Sequence, residues 1–284
     1  MKPVMSNEEL KSIVRDKYSD IANQDKTVNM SSCCGAGGCS TEVYNIMSED
    51  YNSLKGYQSD ADLGLGCGLP TQYAGIKPGD MVVDLGSGAG NDCFVARHEV
   101  GETGKVIGID FTPAMIAKAR ENAEKLGFNN VEFRLGDIEK MPITANVVDV
   151  IVSNCVLNLV PDKNAVFKEI FRVLKPGGHF CISDVVLVGD LPEALRHDAE
   201  MYAGCVSGAI QKEVYLELIR MNKFENVIIQ KEKVITIPDD ILSRYLSEVD
   251  LKSFKSGDSG IFSITVYAEK PLSANSCMPG GGCC

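Results

Sequence analysis

The stretch VVDLGSGAG, residues 82–90, carries the information that decides the fold. A β-branched run stops at three glycines, Gly86, Gly88 and Gly90, placed at alternate positions between an expected strand and an expected helix. Without Cβ atoms the backbone there can approach a ligand closely. A second expected strand ends in GID, residues 108–110, where the carboxylate of Asp110 suits both hydroxyls of a ribose. The spacing is G-x-G-x-G and not the dinucleotide G-x-G-x-x-G, and Asp84 precedes the first glycine by two residues. Both features argue against NAD. A tight strand-to-helix turn with no ligand is the plainer alternative, and the joint presence of the glycines and the acid disfavours it.

Working outward, MVVDLG (81–86), KVIGID (105–110), NVEFRLGD (130–137), VVDVIVSN (147–154) and HFCISDVV (179–186) alternate with amphipathic segments at 91–99, 112–126 and 162–174. That alternation predicts an α/β fold, a parallel sheet with helices on both faces. Thr112 reads as an N-cap before Pro113, the apolar set Met115, Ile116, Ala119 and Ala123 shares one side, and Gly127 closes the helix. LKPGG at 174–178 stops the next helix and turns into a strand.

Residues 7–24 read as a charged amphipathic helix, and SSCCGAGGC, 31–39, as a loop. Beyond the core the pattern predicts helices near 191–204 and 211–222, a strand at 226–237, a short helix near 239–247 and a last strand at 261–270. The tail SANSCMPGGGCC, 273–284, has no core-forming content and is expected to be disordered. Four segments result: an N-terminal helix and cysteine-containing arm at 1–62, a ligand-binding core at 63–189, a C-terminal α+β region at 190–270 and a cysteine-rich tail at 271–284.

Composition narrows the function. The chain has 284 residues, 44% of them apolar, enough for one substantial core. No apolar run approaches the roughly 20 residues of a membrane helix, and the opening MKPVMSNEEL has no signal core, so the cytoplasm is the expected location and a membrane is not an expected partner. A net charge of −11 repels a phosphate backbone, and no basic run offsets it, which argues against nucleic acid. Eleven cysteines in a reducing compartment point to thiol ligation or redox chemistry. The three histidines, His98, His179 and His197, sit in no motif resembling a catalytic base, and His179 at the start of a strand reads as structural.

Three cysteines occupy unusual settings. Cys155, in SNCVLNL, ends the fourth strand, where ligands of open α/β sheets bind. Cys67 lies in LGLGCGLP and Cys205 in MYAGCVSGA, each beside small residues that leave room for a bulky group on sulfur. A buried core thiol is the competing reading for each, and it is the one adopted for Cys93 and Cys181.

DLGSGAG with GID and GDIE resembles the class I methyltransferases that use S-adenosylmethionine, over about residues 80–186. The resemblance implies a Rossmann-like sheet, mostly parallel with its last strand reversed. It implies a cofactor site formed by Asp84, Gly86, Ser87, Gly88, Gly90, Asp110, Phe111, Asp137, Ile138 and Asn154, with Asp110 on the ribose and Asp137 by the adenine. For Asp137 a solvated turn aspartate is the competing reading. Methyltransferases acting on nitrogen often carry an Asn/Asp-Pro-Pro-aromatic motif after strand four; SNCVLNL does not match it, which points to another substrate.

The set SSCC, GLGCGLP, DLGSGAGNDC, SNCVLNLVPDK, RVLKPGG and AGCVSGA is similar to the arsenite methyltransferase family over most of residues 31–210. This implies that Cys67, Cys155 and Cys205 hold trivalent arsenic facing the methyl group, and that Cys33 or Cys34 takes part in disulfide exchange. It also implies S-adenosylmethionine as methyl donor, thioredoxin or glutathione as thiol reductant, and arsenite and methylated arsenicals as substrates and products. GIDFT carries Phe111 where the family leads us to expect methionine. Soft trivalent arsenic prefers thiolate, and its lone pair attacks without a general base. The tail cysteines Cys277, Cys283 and Cys284 either capture metalloid or are merely tolerated there. The alternatives are a small-molecule methyltransferase of the quinone or sterol type with incidental cysteines, and a zinc module built on Cys33, Cys34 and Cys39. CCGAGGC lacks the paired spacing that a zinc site needs.

Overall fold

The computed structural model describes residues 6–23, 49–190, 208–236, 239–243, 246–256 and 259–272. The expected helix at 191–204, the loop at 31–39 and the tail at 273–284 lie outside the described residues, and with them Cys33, Cys34, Cys39, Cys205, Cys277, Cys283 and Cys284.

Seven strands form one sheet: β1 Met81–Leu85, β2 Lys105–Asp110, β3 Val131–Leu135, β4 Val148–Asn154, β5 Leu174–Val188, β6 Glu225–Ile235 and β7 Gly260–Glu269. Their order is β3-β2-β1-β4-β5-β7-β6. Strands β1 to β5 pair in parallel, and β7 runs antiparallel to both its neighbours, so the reversed last strand is present. Among the described residues six helices longer than a single turn accompany them: α1 Asn7–Asn23, α2 Asn91–Val100, α3 Pro113–Leu126, α4 Lys163–Val173, α5 Lys212–Met221 and α6 Glu248–Ser256.

Alternation along the strands covers both faces. Val83, Leu85 and Ile151 join Phe167 of α4 and Tyr215 of α5 in one core, while Val82, Val150 and Val152 join Phe94 of α2 and Ala119 of α3 in another. A period of two sends successive side chains to opposite faces, and the crossover helices bury both. Because β2 lies on one side of β1 and β4 on the other, the strand order reverses there. The crevice beyond their carboxyl ends is where such sheets hold ligands.

Local signals are realised in different ways. Thr112 and Pro113 start α3, and Gly127 ends it at φ 67°. KPGG does not break away as a separate turn: it is carried inside the 15-residue β5, as an irregularity that shifts the register against β4 between Val148 and Val150. The short helix expected near 239–247 is a single turn, Asp239–Leu242, and α6 follows as a separate helix. Ser247 starts this helix as its N-cap: Asp250 N donates to Ser247 Oγ, and Ser247 Oγ donates to Asp250 Oδ2 at 2.6 Å. Helix α1 begins on a capping box, with Glu9 N donating to Ser6 Oγ and Ser6 N to Glu9 Oε2.

Candidate active site

A pocket opens beyond the carboxyl ends of the first four strands. It is lined by Gly86, Ser87 and Gly88 after β1, by Asp110, Phe111 and Thr112 after β2, by Asp137 and Ile138 after β3, and by Asn154 and Cys155 at the end of β4. Gly86, Gly88 and Gly90 have φ of 67°, 51° and 101°, the left-handed region that glycine adopts at little cost. Their reasons for lacking a side chain differ. A Cβ on Gly86 would lie 2.4 Å from Val156, one on Gly88 would meet nothing within 4 Å, and one on Gly90 would strike Phe133 and Phe94. Gly90 is required by packing against these two rings, and it stands behind the residues that line the pocket.

Asp110 is 7% exposed, and its two oxygens accept from Gly88 N at 3.0 Å and Thr112 N at 2.8 Å. Burial raises its pKa against the opposing pull of these bonds. Each oxygen keeps a lone pair for a hydroxyl donor. Ser87 Oγ and Asn91 Oδ1, both on residues that line the pocket, are buried without a hydrogen-bond partner among the described residues. Buried polar atoms are rarely left so. With the open space above Gly88, they fit a polar, nucleoside-bearing ligand such as S-adenosylmethionine.

Beside Asp84, which the resemblance implies for the cofactor site, stands a second acid, Asp92, that the sequence reading did not name. Asp84 and Asp92 are both buried and both line the pocket. Burial first, then the neighbouring Asp92 charge, pushes Asp84 well above the usual carboxylate range, and burial lifts Asp92 to about 6. Tyr51 donates to Asp92 Oδ2 at 2.9 Å, and Cys93 Sγ lies 3.3 Å from Asp84 Oδ2. A cationic ligand end placed beside them would favour the ionised form of both acids and draw their pKa values back down. Asp92 carries a weak sequence signal, an acid in the first turn of the helix after the glycine loop. Tyr51 carries none.

Cys155 has φ 61°, a conformation that is uncommon for a residue with a side chain and that costs of order 1–3 kcal/mol. Its N–H donates to Ser183 O at 2.8 Å, and the side chain is 2% exposed at the pocket wall. Cys67 is fully buried, and the two cysteines belong to one apolar cluster with Val14, Leu159, Val185, Leu187 and Ile261. The glycines around Cys67 do not chiefly leave room at sulfur. A Cβ on Gly66 would lie 2.5 Å from Asn154 Nδ2, and one on Gly68 would lie 2.4 Å from Ser183 Oγ, so they let this loop lie against the ends of β4 and β5. Asn154 holds the loop: its Oδ1 accepts from Cys67 N at 3.0 Å and Gly68 N at 3.2 Å, and its Nδ2 donates to Gly68 O at 2.8 Å. Cys205, the third expected thiol, lies outside the described residues.

Cys93 and Cys181 belong instead to the core beneath α2 and α3. Burial pushes the Cys93 thiol well up and the Cys181 thiol to about 12, which makes both poor nucleophiles. His179 Nε2 bonds Ala74 O at 2.6 Å, the structural role its position suggests.

The charged face of α1 was read from the sequence, but its place was not. Lys11, Val14 and Tyr18 line the pocket, and Arg15 lies 5.6 Å from the centre of the Phe111 ring. Lys11 pairs with Asp137 Oδ2 at 2.6 Å and with Glu139. Asp137 is thus engaged by α1 and is not simply a solvated turn residue. Burial works to lower the Lys11 pKa, but its two carboxylate partners override this and hold it above the ordinary lysine value.

Residues 76–239 match the family model described as a methyltransferase domain. The arsenite methyltransferase of Halobacterium salinarum is 40% identical over 277 residues, covering 93% of this chain and 67% of that protein. The arsenite methyltransferase of Aquipseudomonas alcaligenes is 34% identical, covering 83% of this chain and 68% of the other. Among solved structures, an arsenic(III) S-adenosylmethionine methyltransferase from Chlamydomonas reinhardtii superposes with a TM-score of 0.62 at 34% identity, over 73% of this chain and 68% of that one.

Proposed function

We infer the function from one premise: the chain belongs to the arsenite methyltransferase family, and it transfers methyl groups from S-adenosylmethionine to trivalent arsenic, giving methylated arsenicals. The observation that most supports this reading is that Cys67 and Cys155 share one buried cluster beside the pocket of the glycine loop and Asp110. No specific observation favours the quinone or sterol alternative.

Bound in that pocket, S-adenosylmethionine supplies an electrophilic methyl on a sulfonium sulfur. Asp110 suits the ribose hydroxyls, Ser87 and Asn91 offer unused polar atoms, and Asp84 with Asp92 would ionise against a cationic end brought beside them. Cys67, Cys155 and Cys205 bind arsenic as thiolates, leaving its lone pair directed at the methyl carbon. The apolar residues around the two described thiols keep water away. Orientation of this kind can lower a barrier by roughly 7–11 kcal/mol.

On transfer the methyl–sulfonium bond would break, its electron pair staying on the sulfur of the departing S-adenosylhomocysteine, while the arsenic lone pair would form the As–C bond, so arsenic would become formally pentavalent. Two thiols return two electrons by joining as a disulfide, which thioredoxin or glutathione then reduces. Cys33 or Cys34 supplies the exchanging thiol to Cys67. Such chemistry suits the reducing cytoplasm.

The test is incubation of the protein with labelled S-adenosylmethionine, arsenite and a thiol, followed by arsenic speciation. Methylated arsenic is expected from the wild type and from Cys181→Ala, and none from Cys67→Ser or Cys155→Ser. Full methylation by Cys155→Ser would refute the thiolate reading.

A further inference from the structure

Helix α1 touches both ends of the pocket. At the adenosine end Lys11 Nζ joins Asp137 and Glu139, which belong to the turn after β3. At the thiol end Val14, one turn further along and 1% exposed, is part of the cluster that contains Cys67 and Cys155. Glu139 extends the connection. Its Oε1 accepts from Asp162 N at 2.8 Å, and Asp162 is the N-cap of α4, where the segment that begins at Cys155 ends. Asp137 Oδ1 accepts from Glu139 N at 2.9 Å, which holds the two acids in a fixed relation.

Lys11 thus ties three things that are remote in sequence: the turn after β3, the exit of the Cys155 segment and the helix that covers the pocket. We propose that Lys11 is a positioning residue for methyl transfer: through Asp137 and Glu139 it seats α1 across the pocket and fixes the far end of the Cys155 segment. The proposal rests on the functional reading above for the word transfer, and on the geometry alone for the seating of α1.

The ion pair is held where it matters. The side chains of Lys11 and Glu139 are 16% and 15% exposed, so solvent screens their attraction less than it would a surface pair. Val14 and Tyr18 wall the pocket only while α1 lies across it, and further along Arg15 lies over the Phe111 ring, Ile21 and Ala22 pack with Met115, and Lys118 Nζ donates to Ala22 O at 3.0 Å. Lys11 contributes ion pairs that hold the near end.

The test compares wild type with Lys11→Met, Lys11→Arg, Glu139→Gln and the double variant Lys11→Met/Glu139→Gln. S-adenosylhomocysteine is the probe, with affinity read by calorimetry and protection of residues 7–23 read by hydrogen exchange. In Lys11→Met we expect affinity to fall about tenfold, the scale of one charge-assisted hydrogen bond, and the ligand-induced protection to vanish. Lys11→Arg should restore both, and the double variant should lose no more than Lys11→Met, because both substitutions break one link. Wild-type affinity and protection in Lys11→Met, or losses that multiply in the double variant, would overturn the proposal. Failure of the wild type to methylate arsenite would sink the functional reading, yet the S-adenosylhomocysteine titration would still decide the role of Lys11.

Discussion

The side-chain oxygen of Asn154 accepts a hydrogen bond from the main-chain nitrogen of Cys67 at 3.0 Å, across a sequence separation of 87 residues. The next residue after Asn154 is Cys155, already turned into the left-handed region. One amide therefore joins the loop that carries the first thiol to the strand end that carries the second.

Asn154→Ala removes the acceptor for Cys67 N and Gly68 N and the donor to Gly68 O. At about 1 kcal/mol per bond, the expected loss of stability is about 2–3 kcal/mol, much of it local to the loop at 66–68. Arsenite affinity should fall at least about tenfold, with a smaller effect on S-adenosylhomocysteine. Calorimetric titration with each ligand in turn checks this; equal losses for both would mean that Asn154 serves the cofactor and not the thiol loop.

Gly86 and Gly88 should fail differently when changed to alanine. In Gly86→Ala the new methyl drives into Val156, the residue after Cys155, and overpacking of about 1–3 kcal/mol adds to the left-handed penalty. Gly88→Ala meets nothing in the protein and costs only the backbone term, about 1–2 kcal/mol, but its methyl enters the pocket. Melting curves with and without S-adenosylhomocysteine separate the two. Gly86→Ala should melt lower, whereas Gly88→Ala should lose the ligand-induced rise; retention of that rise would show that the ligand does not cross Gly88.

Asp184 predicts a pH effect on stability. It is fully buried on β5, accepts from the Tyr215 hydroxyl at 3.3 Å, and burial lifts its pKa from 3.8 to about 7 despite the nearby Lys163 charge. Between about pH 4 and pH 7 the folded protein holds a proton that the unfolded chain has released, so this group's contribution is whole below that window and lost as pH rises through it. Asp184→Asn should therefore gain on the wild type as pH rises from 4 to 7, by at most about 1.4 kcal/mol per unit, and hold a constant advantage above. Urea unfolding at pH 5, 6, 7 and 8 measures it. Parallel curves for the two proteins would place the titrating group elsewhere.

Short-range rules made much of this protein legible. Strand alternation, Pro113 in the first turn of α3, and the glycines after β1 act through sterics within a few residues, so the parallel core, the Asp110 position and the thiol at the end of β4 could be read directly. The N-cap at Ser247 was equally local and marks a helix that periodicity alone missed. What no local rule contains is which distant segments meet. Asn154 finds Cys67, and Lys11 finds Asp137 across 126 residues, only when the order of the strands has brought their carboxyl ends to one edge. The sequence by itself determined the elements and the chemical types at the site. The tertiary structure decided that α1 covers the pocket, that Asp84 and Asp92 share a buried wall, and that Gly90 packs against two aromatic rings, because burial and ion pairing arise between elements and not within them.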